Sequence, residues 1–294
     1  MPSLIVTESN NSDTINIDLM SSLEIAQIIN QEDMKVAQAV HQVLPQIAKA
    51  IDVIADALQK GGRLAYFGAG TSGRLGILDA SEMPPTFGVS PNMVQGFIAG
   101  GERALRHAVE NAEDKEEFAL QDLQKFHPTD KDVIVAISAN GQPEYCLTVL
   151  RESKKIGCIT LAISSNPKAE IAQFADIFIN PVVGPEVITG SSRMKSGTAQ
   201  KMILNMITTG AMIRIGKTYK NYMIDLQPTN KKLVARSIRF VSEICGISKS
   251  EAQAYLKAAD HDVKIACVMA IKKCKKEEAE KLLAQNNGIL RKVI

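Results

Sequence analysis

The sequence contains no tryptophan, five tyrosines and eight phenylalanines. That leaves little material for the aromatic platforms on which nucleic-acid bases stack. Charge points the same way: 34 lysines and arginines against 32 aspartates and glutamates give a net charge of +2, without the basic surplus of a nucleic-acid-binding domain. No stretch approaches ~18 consecutive apolar residues, and the first residues carry no charged segment ahead of an apolar one, so neither a membrane span nor a signal peptide is expected. The five cysteines, Cys146, Cys158, Cys245, Cys267 and Cys274, form no C-x-x-C pair and are odd in number. Reduced, buried thiols in a cytoplasmic protein are the expectation. No His, Asp or Glu spacing resembles a metal site, and no metal or cofactor is expected.

What the chain has is apolar patterning: 45% of its 294 residues are hydrophobic, enough for a sizeable core with a small appendage. Residues 1–20 are polar and irregular, a tail or an arm. Helical spacing follows, with a short helix near 23–29 and a longer run through 36–60 that Pro45 interrupts and would kink. Strands are expected at 63–67, 94–98, 132–137, 158–163 and 177–180. Helices between them are expected at 74–81, 102–125, 145–155 and 169–174, with a long apolar helix at 198–215. Strands alternating with helices predict βαβ units, hence an α/β fold with a doubly wound parallel sheet covered on both faces. Beyond about residue 230 the pattern is only helical: 233–245, 251–259, 261–273 and 276–284, with Ser248 and Glu251 spaced as a capping box. The expected organisation is an N-terminal arm and helices over 1–60, an α/β domain over 61–225 and a helical module over 230–294.

In a parallel sheet, ligands bind outside the carboxyl ends of the strands, so the loops there carry the candidate chemistry. Gly68-Ala69-Gly70-Thr71-Ser72-Gly73 follows a strand and opens a helix. Its glycines admit close approach, and free N–H groups at a helix start attract an anion. The same letters satisfy G-x-G-x-x-G, but a dinucleotide site wants an acidic residue ending the next strand. That strand runs into Gly100-Gly101. Asp79-Ala80-Ser81-Glu82-Met83-Pro84-Pro85 comes next; two prolines should stop the helix and leave Glu82 at its C-terminus. Desolvated there, Glu82 would suit a general acid. Glu110 and Glu113 read as i,i+3 neighbours on an acidic helix surface. Ser138-Ala139-Asn140-Gly141 is a second strand-end loop rich in small polar donors. Thr189-Gly190-Ser191-Ser192-Arg193-Met194-Lys195 precedes the long apolar helix and reads as another anion-facing start.

Taken together, residues 68–76 (GAGTSGRLG), 79–86 (DASEMPPT), 99–102 (AGGE), 108–114 (AVENAED) and 189–201 (TGSSRMKSGTAQK) resemble the N-acetylmuramic acid 6-phosphate etherases. That family is built on a sugar isomerase (SIS) domain. The resemblance runs over nearly the whole chain. It implies removal of D-lactate from N-acetylmuramate 6-phosphate by elimination and then water addition, without a metal or redox cofactor. It also implies Glu82 as the acid on the departing lactyl oxygen and Glu113, rather than Glu110, as the second catalytic glutamate. Gly70, Thr71, Ser72, Ser138, Asn140, Gly141, Ser191, Ser192 and Lys195 are then the candidate substrate- and phosphate-binding residues. The partner is a small sugar phosphate, and the resemblance implies a homodimer.

One loop departs. The family usually reads A-A-S-G-R-T-P-Y where this chain has Ser138-Ala139-Asn140-Gly141-Gln142-Pro143-Glu144-Tyr145. A serine, an arginine and a threonine are replaced, which should weaken the grip on a phosphate unless Ser138 compensates. The rival readings are a non-catalytic sugar-phosphate sensor of the glucokinase regulatory protein type and a sugar-phosphate isomerase. Release of lactate distinguishes the etherase from both.

Overall fold

The computed structural model describes residues 6–226 and 231–294. They fall into two compact units. The first comprises Met1–Ser81 and Pro91–Thr209, the second Glu82–Ser90 and Gly210–Ile294.

The first unit holds a five-stranded sheet of β1 (Leu64–Gly68), β2 (Val94–Ile98), β3 (Val133–Ile137), β4 (Ile159–Ile163) and β5 (Ile177–Ile179). All neighbours pair in parallel, in the order β2-β1-β3-β4-β5. Every residue of β1 and β3 is buried, as central strands covered on both faces require. Side chains alternate along β1. Ala65 and Phe67 join Ile134, Ala136, Tyr145 and Leu150 in a core on one face. Tyr66 points the other way and donates its hydroxyl to Asp79 at 3.0 Å. Connection length and alternation fix the winding, and the strand order reverses between β1 and β3, where such sheets bind ligands.

Around the sheet run α1 (Ser22–His41), α2 (Leu44–Gln59), α3 (Gly70–Phe87), α4 (Glu102–Arg106), α5 (Glu116–Phe126), α6 (Glu144–Ile156) and α7 (Lys195–Arg214). Three expectations need correction. Pro45 does not kink a helix; it stands in the first turn of α2, where its missing N–H would have no partner anyway. The stretch 102–125 is not one helix. It breaks over 107–115, with Asn111 at φ 56°, and Tyr145 donates its backbone N–H to Glu113 O at 3.0 Å to pin that loop. The prolines of α3 do not end it either: both lie inside the helix, which continues to Phe87. Each removes the i→i−4 bond to the carbonyl of Ala80 or Ser81, and Gly88, at φ +62°, closes the turn by donating to Pro84 O at 2.9 Å.

The second unit is helical apart from a short hairpin, β6 (Thr218–Tyr219) with β7 (Tyr222–Met223). Its helices are α8 (Lys231–Cys245), α9 (Lys249–Ala258), α10 (Val263–Lys272) and α11 (Lys276–Gln285). The expected capping box is present, with Ser248 and Glu251 bonding reciprocally. Val241, Leu256, Ala266, Cys267 and Leu283 form part of its own core.

Candidate active site

The loop after β1 turns so tightly that Gly73 has no room for a side chain: a Cβ there would stand 2.6 Å from Gly68 O. Gly70 begins α3 at φ +53°, a conformation that costs glycine nothing. The first N–H groups of α3, at Gly70, Thr71 and Ser72, have no acceptor within the helix. These residues line a cavity of about 260 Å³ together with Thr7, Glu8, Glu113, Ser138–Asn140, Pro143, Gly190 and Ser192. The loops after β1 and β3 therefore meet, as the strand-order reversal requires.

Inside the second loop the small polar groups organise one another. Ser138 Oγ donates to Asn140 Oδ1 at 3.2 Å and accepts from the Gly141 N–H at 2.9 Å. Asn140 Oδ1 also accepts from the Gln142 N–H at 3.1 Å. With its oxygen turned to the loop, the Asn140 amide has its N–H donors on the opposite edge. Ser72 Oγ donates to Gln200 Oε1 at 3.0 Å, while the buried Nε2 of Gln200 has no hydrogen-bond partner among the described residues.

Glu113 lines this cavity and also a second one of about 270 Å³, shared with Arg74, His107 and Glu110. It is accessible to solvent, not a member of a helix surface, and it sits where the two spaces join. Partial desolvation of its carboxyl, and then the charge of Asp114, push its pKa above the ordinary 4.5. A carboxylate so placed is a better base than a fully solvated one.

Not every candidate residue lies here. Gly141, Ser191 and Lys195 line neither cavity. Lys195 is buried and donates to Glu32 Oε2 at 2.5 Å. Burial works against the Glu32 charge, but Lys195 and Lys35 outweigh it and hold that carboxyl below its usual range. The N-terminus of α7 has its own anion: Glu186 accepts from the Lys195 and Ser196 N–H groups at 2.8 and 3.0 Å. Glu82 belongs to the second unit and is exposed, not desolvated. Among the described residues no group of three His, Cys, Asp or Glu side chains could hold a metal ion.

Sequence reasoning missed Thr7, Glu8, Gln200 and Glu186. Gln200 stands in the 189–201 motif and could have been marked there. The other three come into place through chain packing that no local pattern announces.

A parallel β2-β1-β3-β4-β5 sheet with glycine- and serine-rich loops meeting beyond β1 and β3 defines a SIS-type α/β domain. Residues 46–154 match the family described as the glucokinase regulatory protein N-terminal SIS domain, and residues 220–264 the C-terminal lid domain of glucokinase regulatory protein. The fold is similar to a solved candidate phosphosugar isomerase involved in capsule formation from Bacteroides fragilis NCTC 9343. That likeness has a TM-score of 0.53 and 20% identity, over 70% of this chain and 98% of that one. Over 97% of its length the chain is 54% identical to the N-acetylmuramic acid 6-phosphate etherase of Glaesserella parasuis serovar 5 (strain SH0165), covering 93% of that protein. Over 99% it is 51% identical to the etherase of Clostridium beijerinckii (strain ATCC 51743 / NCIMB 8052), covering 95%. The chain belongs to the N-acetylmuramic acid 6-phosphate etherase family.

Proposed function

We propose that the protein is a carbon–oxygen lyase that cleaves the D-lactyl ether of N-acetylmuramic acid 6-phosphate, giving N-acetylglucosamine 6-phosphate and D-lactate. The observation that carries this reading is one cavity in which Glu113, made more basic by its surroundings, faces two loops of hydrogen-bond donors. The phosphate takes the N–H groups of residues 70–72 and the amide of Asn140. The open-chain sugar then extends toward Glu113. Its C2 proton is acidic because C1 is an aldehyde, and Glu113 removes it. The C3–oxygen bond breaks, a C2–C3 double bond forms, and the departing lactyl oxygen takes a proton. Water then adds its oxygen to C3 and a proton returns to C2.

Glu82 is the acid in this reading, on the strength of the motif it occupies. The reading includes a homodimer in which a second copy completes the site. A cytoplasmic enzyme of peptidoglycan recycling fits such a reaction. The test is direct. Purified protein incubated with N-acetylmuramic acid 6-phosphate should release D-lactate, measured with a lactate dehydrogenase couple. The sugar without its phosphate should react poorly. No lactate would leave the sensor or the isomerase reading in its place.

A further inference from the structure

The cavity holds a second carboxylate, Glu8, and nothing in the motifs pointed to it. The arm that carries Glu8 is fastened along the segment before α7. Thr14 Oγ1 donates to Val187 O at 2.8 Å, Asn11 Nδ2 to Pro185 O at 3.5 Å and Thr189 Oγ1 to Asn10 Oδ1 at 3.1 Å. Thr7, beside it, is fully buried. Gly190 faces the carboxylate, and a Cβ there would stand 3.1 Å from Glu8 Oε2. The position thus leaves space for Glu8 that most residues would crowd. Glu8 itself is exposed to the cavity, and among the described residues its carboxylate has no hydrogen-bond or ion-pair partner.

The same cavity is lined by residues rich in donors: Gly70, Thr71 and Ser72, which open α3, and Asn140. An anionic phosphate belongs there and is repelled from Glu8. What a carboxylate accepts is O–H and N–H. We propose that Glu8 is a substrate-contacting residue whose carboxylate accepts hydrogen bonds from the hydroxyl groups of an open-chain sugar phosphate. This rests on the sugar-phosphate reading above. It fixes the direction in which the sugar lies: phosphate at the loops after β1 and β3, hydroxyls toward the arm.

The test is calorimetric titration with two probes, N-acetylglucosamine 6-phosphate and inorganic phosphate, on the full chain and on Glu8→Ala and Glu8→Gln. Hydrogen bonds to a charged group predict a Kd for the sugar phosphate raised about ten- to a hundredfold in Glu8→Ala, with Glu8→Gln between it and the wild type. Inorganic phosphate, which reaches only the loops, should bind all three alike. Melting temperature should not move, because Glu8 is exposed. An unchanged Kd for the sugar phosphate overturns the proposal. So does an equal loss for both probes, which would mean that the cavity as a whole was disturbed. Wild-type protein that binds N-acetylglucosamine 6-phosphate but releases no lactate from N-acetylmuramic acid 6-phosphate would sink the etherase reading and leave this proposal standing. Failure of the wild type to bind the sugar phosphate would sink both.

Discussion

At the residue scale, the chemistry of the proposed reaction turns on Glu113. An essential base must be ionised in the free enzyme, so the acid limb of kcat/KM reports its pKa. Burial and Asp114 both raise that pKa above 4.5. The acid limb should therefore lie above 4.5, and Asp114→Asn should shift it downward while leaving the phosphate loops intact. Glu113→Gln should abolish exchange of the C2 proton of N-acetylglucosamine 6-phosphate in deuterated water, followed by NMR. Retained exchange in that variant would remove Glu113 as the base. The serines call for a different expectation. Ser72 already donates to Gln200, and Ser138 to Asn140, so each shapes its loop as much as it offers a donor. Ser72→Ala leaves both ends of the buried Gln200 amide unpaired, a cost of about 1–3 kcal/mol. Its loss of substrate affinity should come with a lower melting temperature. Ser138→Ala also frees the Gly141 N–H, and should weaken inorganic phosphate together with the sugar phosphate. That pattern is the converse of the one expected for Glu8. The residues legible in advance were those inside dense motifs, Gly70–Ser72 and Ser138–Asn140. Glu8 was not legible, because an exposed glutamate in a polar arm has no periodicity and no neighbouring signal.

At the scale of elements, the strands were readable because β1 and β3 are buried on both faces and so appear as continuous apolar runs. The polar stretch 102–125 was not, since a solvated helix and a solvated loop share a composition; the long-range hydrogen bond from the Tyr145 N–H to Glu113 O marks the loop. The DASE segment shows how a motif mixes roles. Glu82 is exposed, whereas Asp79 is buried and joins three elements. It accepts from Tyr66 of β1 at 3.0 Å, Asn205 of α7 at 2.8 Å and Thr208 of α7 at 3.3 Å. Asp79→Ala would strand the buried Tyr66 hydroxyl and take the acceptor from the half-buried Asn205 amide, at about 1–3 kcal/mol apiece, while Thr208 keeps Leu204 O as its acceptor; it should lower the denaturant midpoint severely. Burial raises the Asp79 pKa above 3.8, more than its hydrogen bonds lower it. The sign follows from linkage: the folded state binds the proton more tightly, so this group's penalty is largest at neutral pH. It is relieved as pH falls through the raised pKa toward 3.8. Asp79→Asn should be far milder than Asp79→Ala and should remove that part of the pH dependence. Equal damage from both would mean that the charge itself holds the elements.

For the whole molecule, the proposed reaction requires two glutamates at one sugar. Glu113 lines the cavity of the first unit, while Glu82 is an exposed residue of the second. If a second copy supplies Glu82, then each site of a homodimer draws Glu113 from one chain and Glu82 from its partner. Glu82→Gln and Glu113→Gln variants should then each be inactive alone, for different reasons. Glu82→Gln should still exchange the C2 proton, and Glu113→Gln should not. Mixed after partial denaturation and refolding, they form heterodimers with one intact and one doubly substituted site. Random pairing places about half of the chains in heterodimers, so about a quarter of wild-type lactate release should return, as the symmetry of a closed dimer dictates. If both glutamates act from one chain, every site in every dimer carries one substitution, and mixing restores nothing. Recovery with inactive parents would require that the catalytic pair be shared between chains, and no rearrangement within a single chain could mimic it.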